Sequence, residues 1–342
     1  MNAPLSTKAA TLHDVAKAAG VSLITASRAL SNPGIVSEQT RKRVEQAVEA
    51  TGYIPNLLAG GLKSKRSRMV AGIVPALSVS QFLPTVQTLT AALHEEGYQL
   101  ILGQTFYDAE REEEVLSAMI GRQPDGIVMM GLVQSERARE RLRRLRIPVV
   151  ETWDMSDRPV DMVLGFSHLK VGSALAGYFL AKGCQHVGIA TGSDHRAMQR
   201  REGFLAAWGR DAPTAVVPAP STLELGRRAL AELLDKEPGL QAVVCSSDML
   251  AHGILVEARA RGLRVPEDLA VSGFGNAEFG AHMVPSITTV HVDGPEMGRL
   301  AARLIVSRCR GEQPQQSAYD LGFHLIERAS TAVLPAASSR PQ

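Results

Sequence analysis

Polar and aromatic side chains follow several β-rich runs of this 342-residue sequence, at the points where those runs end. Ligands of open parallel sheets bind at the carboxyl ends of the strands, so these side chains are candidates for one binding cleft. Arg200 could hold a sugar hydroxyl pair or a carboxylate in its guanidinium fork, although an ordinary surface arginine is the alternative. Trp153 offers a flat apolar face to a sugar, or it is a core tryptophan. The full candidate set is Ser80, Gln81, Trp153, His168, Arg200, Ser247, Asp248 and Asn276.

Short β-rich runs alternate with amphipathic helical segments from residue 68 onward, and these elements must position the candidate side chains. The predicted strands cover residues 69–74, 98–102, 126–130, 147–150, 160–165, 186–190, 215–217, 242–245 and 269–274. The predicted helices cover residues 84–96, 109–121, 136–145, 170–182, 196–208, 223–236, 249–262 and 296–310. Strands separated by helices at this spacing indicate doubly wound parallel sheets, and the simplest arrangement is two α/β lobes.

The same architecture supports many enzymes, but each catalytic pattern in the sequence is incomplete. Residues 273–275 begin like a dinucleotide fingerprint, yet Glu278 stands where the third glycine is needed. Residues 165–169 approximate a nucleophile elbow without its closing glycine. Cys184 and His186 form a single potential metal-ligand pair, which is typical of ordinary packing. There is no P-loop pattern. We therefore expect no catalytic residues, no bound metal and no cofactor.

The segment from Thr11 to residue 33 has the pattern of two short helices joined by a sharp turn. Thr11 and Asp14 predict a capping box, in which the hydroxyl accepts a helix amide and the carboxylate returns to the first turn. A helix is expected from about Leu12, and Gly20 breaks it. Ser22 provides a second N-cap, so the second helix is expected from about residue 23 to residue 30.

The second helix presents Leu23, Ile24, Ser27 and Arg28 on the face opposite its small apolar residues. A simple helical packing motif would leave Leu23 and Ile24 exposed without a role, whereas a helix-turn-helix places such residues against base edges in the DNA major groove. A third helix is expected from Ser37 as its N-cap to residue 50, before a glycine at position 52.

Positive charge is concentrated at the N-terminus. Residues 1–68 contain ten Lys or Arg and four acidic residues, a net charge of +6, whereas the whole chain carries +2, which leaves −4 for the remainder. This asymmetry indicates a polyanion partner for the N-terminal segment. The three widely spaced cysteines favour a reducing compartment. Because there is no apolar run of about 18 residues and no signal pattern, we expect a cytoplasmic protein without a membrane partner.

Three motifs together resemble the DNA-binding head of the lactose-repressor family. They are T-L-x-D-V-A-x-x-A-G-V-S-x-x-T-x-S-R from residue 11, V-S-E-Q-T-R-x-R-V from residue 36 and G-Y-I-P-N-x-x-A from residue 52. Residues 149–154 and 273–276 also resemble the gluconate-repressor branch of the family. The resemblance implies an α/β fold class, with an N-terminal three-helix helix-turn-helix head and a two-lobed periplasmic-binding-protein-like domain of doubly wound parallel sheets.

The resemblance also implies where the domains begin and end. We expect the helix-turn-helix domain at 11–56, a hinge helix and linker at 57–67, and the effector-binding and dimerisation domain at 68–332. The first lobe would comprise about 68–164 and 293–320, and the second about 165–291 and 322–332. The chain would cross between the lobes near 165, near 291–293 and near 319–324.

The residues expected at the DNA are assigned by their chemistry and by the resemblance. Leu23 and Ile24 suit contact with thymine methyl groups, and Arg28 suits guanine. The hinge would insert Leu62 into a minor-groove step, and glycines at 60 and 61 weaken it as a helix by about 0.8–1 kcal/mol each. The other expected DNA-contacting residues are Thr11, Ser22, Thr25, Ser27, Asn32, Tyr53, Ala59 and Lys63.

The candidate effector is a small ligand held between the lobes. Arg200 lies in an Arg-x-x-Gly-Phe step that resembles the ligand-clamping arginine of the family. Ser247 stands where the family commonly has asparagine, and residues 275–276 stand where the family often has two acids. The site therefore repels an anion less than it would with those acids. A sugar acid such as gluconate or a ketogluconate is therefore expected. The alternatives are a neutral sugar or a purine as effector, a sugar-metabolising enzyme with a DNA-binding appendage, and an architectural DNA protein.

The expected assembly follows from the same resemblance. Two-fold symmetry implies a homodimer on a pseudo-palindromic double-stranded operator, and a tetramer is possible. The sequence lacks a long C-terminal heptad segment, which favours the dimer.

Overall fold

A computed structural model describes residues 10–54 and 66–333 of the chain. The chain divides between Ser67 and Arg68 into an N-terminal unit and a larger second unit. The expected hinge helix and its residues Ala59, Leu62 and Lys63 lie outside the described residues. None of the helices in the described ranges combines the length and the apolar character needed to cross a bilayer.

Three α-helices form the described part of the N-terminal unit: α1 (Leu12–Ala19), α2 (Leu23–Ser31) and α3 (Glu38–Thr51). Their small core includes Val15, Ala29 and Val44. The expected capping box is present at the start of α1. The Thr11 amide donates to the Asp14 carboxylate at 2.8 Å, and the Thr11 hydroxyl donates to the same oxygen at 2.7 Å. These hydrogen bonds hold the pKa of Asp14 below its ordinary value.

A six-stranded parallel sheet forms the first half of the second unit. Its strands are β1 (Met69–Val74), β2 (Gln99–Gln104), β3 (Gly126–Met129), β4 (Val149–Thr152), β5 (Met162–Gly165) and β11 (Ala318–Asp320), in the order β11-β5-β4-β3-β1-β2. Helices α4 (Leu83–Glu95) and α12 (Gly294–Cys309) share a core with one face, and α5 (Ala109–Ile120) and α6 (Glu136–Leu145) with the other. Because alternate residues of β1 point to opposite faces, Val70 and Ile73 belong to different cores.

A four-stranded parallel sheet forms the second half. Its strands are β6 (Val187–Gly192), β7 (Thr214–Val217), β8 (Ala242–Cys245) and β9 (Ala270–Ser272), in the order β7-β6-β8-β9. Helices α7 (His168–Ala181) and α8 (His195–Trp208) pack on one face, and α9 (Leu223–Lys236) and α10 (Asp248–Ala260) on the other. The helices on both faces of both sheets confirm the doubly wound α/β prediction.

The chain passes between the two sheets after β5, after β10 (Thr289–His291) and after β11. Strand β10 pairs in antiparallel fashion with β12 (His324–Ile326), so two of these connections are tied together. The expected strand at 269–274 is shorter, because the backbone after Ser272 turns into the loop that precedes the five-residue helix α11 (Glu278–His282). The boundaries assigned to the lobes from the sequence stay a prediction.

Candidate functional site

Two adjoining cavities of about 220 and 60 Å³ lie at the carboxyl ends of the strands, between the two sheets. Tyr107, Asp194 and Arg196 line both of them. We call the two cavities together the cleft. Residues from both sheets contribute to its walls, as expected for open α/β sheets that face one another. The smaller cavity contains five of the predicted ligand residues: Ser80, Gln81, Arg200, Ser247 and Asp248.

Arg200 projects from α8 into the smaller cavity, and only 8% of its surface is exposed. Its Nη1 donates to Nδ1 of His168 at 2.9 Å, and its Nη2 donates to the Ser246 carbonyl at 2.9 Å. The guanidinium lies over the ring of Phe274, 4.1 Å from its centroid. Its Nε is buried and has no hydrogen-bond acceptor among residues 10–54 and 66–333. Burial lowers the pKa of Arg200 to about 10, so it stays charged at neutral pH.

Helices α7 and α8 bring His168 and Arg200 together because glycines stand where the helices cross. A Cβ at Gly172 would lie 2.0 Å from the Arg200 carbonyl oxygen, and a Cβ at Gly203 would lie 2.0 Å from the Leu169 carbonyl oxygen. The two backbones could not approach this closely with any larger residue at either position. The Arg-x-x-Gly-Phe step is therefore also a packing motif.

Arg196 and Tyr107 belong to the cleft, although the predicted ligand set did not include them. Arg196 is buried, donates to the Met130 carbonyl at 3.2 Å and lies 5.0 Å from the ring centroid of Phe82. Tyr107 follows β2 in a left-handed backbone conformation, with φ of 65°. Burial raises the pKa of its hydroxyl. Position at the end of a strand was the signal that could have found Tyr107.

The carboxylates of the cleft are engaged by the protein itself. Asp248 accepts hydrogen bonds from the Ala277 amide at 2.6 Å and the Thr289 hydroxyl at 2.7 Å, and burial raises its pKa to about 6. Asp154 accepts from the Met155 amide at 2.8 Å, and burial raises its pKa as well. Asp194 caps α8. None of these acids forms an ion pair with an arginine in the part of the chain that the structure describes.

Trp153 does not offer its face to the cleft. Its indole is 2% exposed, its Nε1 donates to the Thr85 hydroxyl at 3.1 Å, and it makes edge-to-face contacts with Phe82 and Phe166. The sugar-stacking prediction for Trp153 is therefore wrong, and the core alternative holds. The reason is the strong gain from burying a large aromatic surface whose single donor finds a partner.

Asn276 and His168 also differ from the prediction that they line the ligand. The amide of Asn276 is occupied on both sides, by Nη2 of Arg328 at 2.6 Å and by Nδ1 of His291 at 3.2 Å, and it lines neither cavity. His168 is 3% exposed and lies behind Arg200. The hydrogen-bonding atoms of both side chains are occupied by other protein groups. Both side chains therefore support their neighbours and do not line the cleft.

In the N-terminal unit, α2 buries its small residues and exposes the predicted DNA-reading face. Leu23 is 37% exposed and Ile24 is 64% exposed, while Ser27 and Arg28 are also exposed. Ser22 caps the helix by accepting from the Thr25 amide at 3.1 Å. Of the other predicted DNA contacts, Thr11 and Asn32 are exposed and Tyr53 is half-buried. An exposed apolar pair at the start of a second helix is the arrangement that enters a major groove.

A three-helix head with this exposed face, in one chain with a two-sheet unit that holds a polar cleft, defines a helix-turn-helix transcriptional regulator with a ligand-binding domain. Residues 11–56 match the family of bacterial regulatory proteins called lacI, and residues 176–331 match a periplasmic binding protein-like domain. The chain belongs to the lacI family. It is a DNA-binding transcriptional regulator and not an enzyme.

Similar proteins are themselves named as regulators. The chain is 34% identical to the HTH-type transcriptional regulator GntR of Pseudomonas aeruginosa, over 94% of this chain and 95% of that one. It is 30% identical to the HTH-type transcriptional regulator IdnR of Escherichia coli, over 92% and 96% of the two chains. A solved lacI-family regulator from Silicibacter pomeroyi is 34% identical, with a TM-score of 0.88 over 94% of this chain and 99% of that one. A solved complex of the regulator CelR with cellobiose is 27% identical, with a TM-score of 0.68 over 94% and 99%.

Proposed function

We propose that this protein is a homodimeric repressor whose affinity for a pseudo-palindromic operator is controlled by a sugar acid, gluconate or a ketogluconate, bound in the cleft. The observation that carries this proposal is the pair of buried guanidinium groups of Arg196 and Arg200 at the cleft. Neither forms an ion pair with a carboxylate among the described residues.

Buried cations without a counter-ion are costly, because desolvation penalises the charged form. Backbone carbonyls, aromatic faces and a neutral imidazole solvate the two guanidiniums in part, but they bring no negative charge. A ligand carboxylate would supply that charge and would accept the fork of hydrogen bonds that a guanidinium offers. The buried Nε of Arg200, which meets no acceptor in the described part of the chain, also favours an anionic ligand.

The larger cavity complements the rest of a sugar acid. Asp154 and Asp194 line it, and each accepts one backbone amide through one carboxylate oxygen. A carboxylate has about four acceptor positions, so both retain capacity for hydroxyl donors. We infer that the carboxylate of the ligand lies at Arg200 and that its polyhydroxyl chain extends past Tyr107 toward these acids.

A neutral sugar is the second candidate, and those same acids favour it. The related regulator CelR has been solved with cellobiose, whose hydroxyls are all neutral. A neutral ligand would bring no negative charge to Arg196 and Arg200 beyond that of the nearby Asp154 and Asp194, which is why we place it second.

On the DNA side, we propose that Leu23 and Ile24 contact thymine methyl groups and that Arg28 binds guanine. Thr11, Ser22, Asn32 and Tyr53 would set the register on the phosphates. Domain boundaries at 11–56, 57–67 and 68–332 complete the proposal, with the middle segment coupling ligand binding to operator affinity.

The test combines calorimetry with operator footprinting. Purified protein should bind gluconate or 2-ketogluconate at least tenfold more tightly than glucose, which matches them in size without the carboxylate. Arg200→Met should abolish that preference, because the methionine keeps the apolar stem and removes the fork. The footprint should change on addition of the same acid, and its direction tells whether the ligand releases or recruits DNA binding. If the unaltered protein bound glucose as tightly as gluconate and 2-ketogluconate, the sugar-acid proposal would be refuted.

A further inference from the structure

We propose that His168 is the positioning residue for Arg200: it fixes the guanidinium by accepting a hydrogen bond, contributes no negative charge, and does not touch the ligand. The proposal rests on the function proposed above, because it assigns the residue that makes Arg200 an effective anion receptor.

The hydrogen bonds assign the imidazole to one neutral tautomer. Arginine nitrogens only donate, so the 2.9 Å contact from Nη1 of Arg200 requires an unprotonated Nδ1 on His168. The other ring nitrogen lies 2.9 Å from the Trp153 carbonyl oxygen, which only accepts, so Nε2 carries the proton. A protonated ring would place a donor against the donor of Arg200. Burial and the neighbouring Arg200 and Arg196 also lower the pKa of His168 well below its ordinary value.

The surroundings hold the ring in this orientation. His168 stands at the first position of α7, directly after the N-cap Ser167, and is almost fully buried. Phe166 makes an edge contact with the imidazole, with the ring centroids 4.6 Å apart. The ring lines neither cavity, so it acts on a ligand only through Arg200.

A neutral acceptor differs from the usual partner of a buried arginine in a way that matters here. A carboxylate at residue 168 would orient Arg200 equally well, but it would also cancel the charge of the guanidinium. The imidazole fixes the direction of Nη1 without adding negative charge to that of the nearby Asp194 and Asp154. The Ser246 carbonyl fixes Nη2 in the same neutral manner.

Two near-isosteric substitutions separate the two hydrogen bonds of the ring. His168→Asn places an amide oxygen near the position of Nδ1 and keeps the acceptor for Arg200. His168→Gln places an amide nitrogen near the position of Nε2 and keeps only the bond to Trp153. We expect His168→Asn to bind gluconate or 2-ketogluconate within about threefold of the unaltered protein, and His168→Gln to bind it at least about tenfold more weakly. A purely structural role would make the two variants equivalent.

A third variant tests the role of charge, and a control variant replaces a histidine by glutamine away from the cleft. His168→Asp should keep Arg200 in place yet weaken sugar-acid binding at least about tenfold, while glucose binding stays unchanged. His94→Gln changes an exposed histidine of α4 and should alter neither. Equal sugar-acid affinity of the Asn and Gln variants, or unweakened binding by the Asp variant, would overturn the proposal.

A ligand-independent measurement keeps this proposal separate from the proposed function. Nitrogen NMR of the full-length, histidine-labelled protein reports the tautomer of each ring, and His168→Asn identifies the signal. We expect the neutral Nε2–H form at neutral pH. A charged ring or an Nδ1–H tautomer would overturn the positioning role even where gluconate binds. If no sugar acid binds but the Nε2–H tautomer is found, the effector assignment fails and the hydrogen-bond assignment stands.

Discussion

Gly172→Ala is a sharp perturbation of the cleft, because it adds a single methyl group at the crossing of α7 and α8. The added Cβ would lie 2.0 Å from the Arg200 carbonyl oxygen and 2.5 Å from the Phe204 amide nitrogen. A carbon and a carbonyl oxygen in contact are normally about 3.3–3.6 Å apart. The helices must therefore separate by roughly 1 Å at this point, because both obstructing atoms are backbone and cannot rotate away.

The expected change in the free energy of unfolding is the balance of two opposing effects, and the expected change in ligand affinity follows from a third. Overpacking of this kind costs about 1–3 kcal/mol, while replacing glycine by alanine within a helix returns up to about 1 kcal/mol. We therefore expect a net loss of about 1–2 kcal/mol. The shift moves the backbone of Arg200, so its 2.9 Å hydrogen bond to His168 lengthens beyond bonding distance. Loss of a hydrogen bond to a charged group corresponds to about a tenfold or greater loss of sugar-acid affinity.

Thermal unfolding and calorimetry with gluconate measure the two effects. Gly177→Ala is the matched control, since it lies in the same helix and its Cβ would meet no atom of the described residues within 4 Å. This control should raise the unfolding temperature slightly and leave the affinity unchanged. A Gly172→Ala protein that unfolds no lower than the control and binds gluconate like the unaltered protein would refute the reasoning.

Three further predictions concern other parts of the molecule. Burial raises the pKa of Asp248 from an ordinary 3.8 to about 6, so the folded protein binds this proton more tightly than the unfolded chain does. The resulting stabilisation is complete below about pH 4 and is lost as the pH rises through 6. The difference is about 3 kcal/mol, and Asp248→Asn should flatten the urea-unfolding free energy over that range. Trp153→Phe should lower stability by about 1–3 kcal/mol through a void and an unpaired Thr85, with gluconate affinity kept within about threefold. A large loss of affinity at unchanged stability would contradict the buried assignment. Ser22→Ala should speed hydrogen exchange of the first amides of α2, corresponding to about 1 kcal/mol, and unchanged exchange would show that the cap is dispensable.

Local chemistry made most of the fold predictable. The second and third helices begin where the serine caps Ser22 and Ser37 were recognised, and α9 (Leu223–Lys236) has the predicted bounds. Hydrophobic periodicity gave the parallel strands, since a strand buried on both faces is almost continuously apolar. Position at the end of a strand was enough to bring Ser80, Gln81, Arg200, Ser247 and Asp248 to one cavity.

The failures concern side chains whose partners are distant in sequence. Arg328 reaches Asn276 across 52 residues, and Thr85 reaches Trp153 across 68. No local pattern reports such pairs, because they depend on how the two sheets and the connections between them are assembled. Tyr107 was missed although it follows a strand; its φ of 65° is a left-handed conformation that bulky residues rarely adopt and that no sequence pattern predicted.

The pairing of glycines across helix crossings explains the spacing of the Arg-x-x-Gly-Phe step. Gly172 faces the carbonyl of Arg200, and Arg200 lies three residues before Gly203. In return, Gly203 faces the carbonyl of Leu169, which lies three residues before Gly172. Helices α9 and α10 repeat this reciprocity, since Gly226 faces the carbonyl of Leu250 and Gly253 faces that of Leu223. The position three residues before the glycine is leucine in each of those two helices, and it is arginine only in α8, where it reaches the cleft. Residues three apart lie on the same helix face. The glycine that allows the close crossing therefore also fixes where the residue three positions earlier lies along that crossing. The backbone contact thus fixes where the Arg200 side chain leaves α8, while His168 and the Ser246 carbonyl orient its guanidinium.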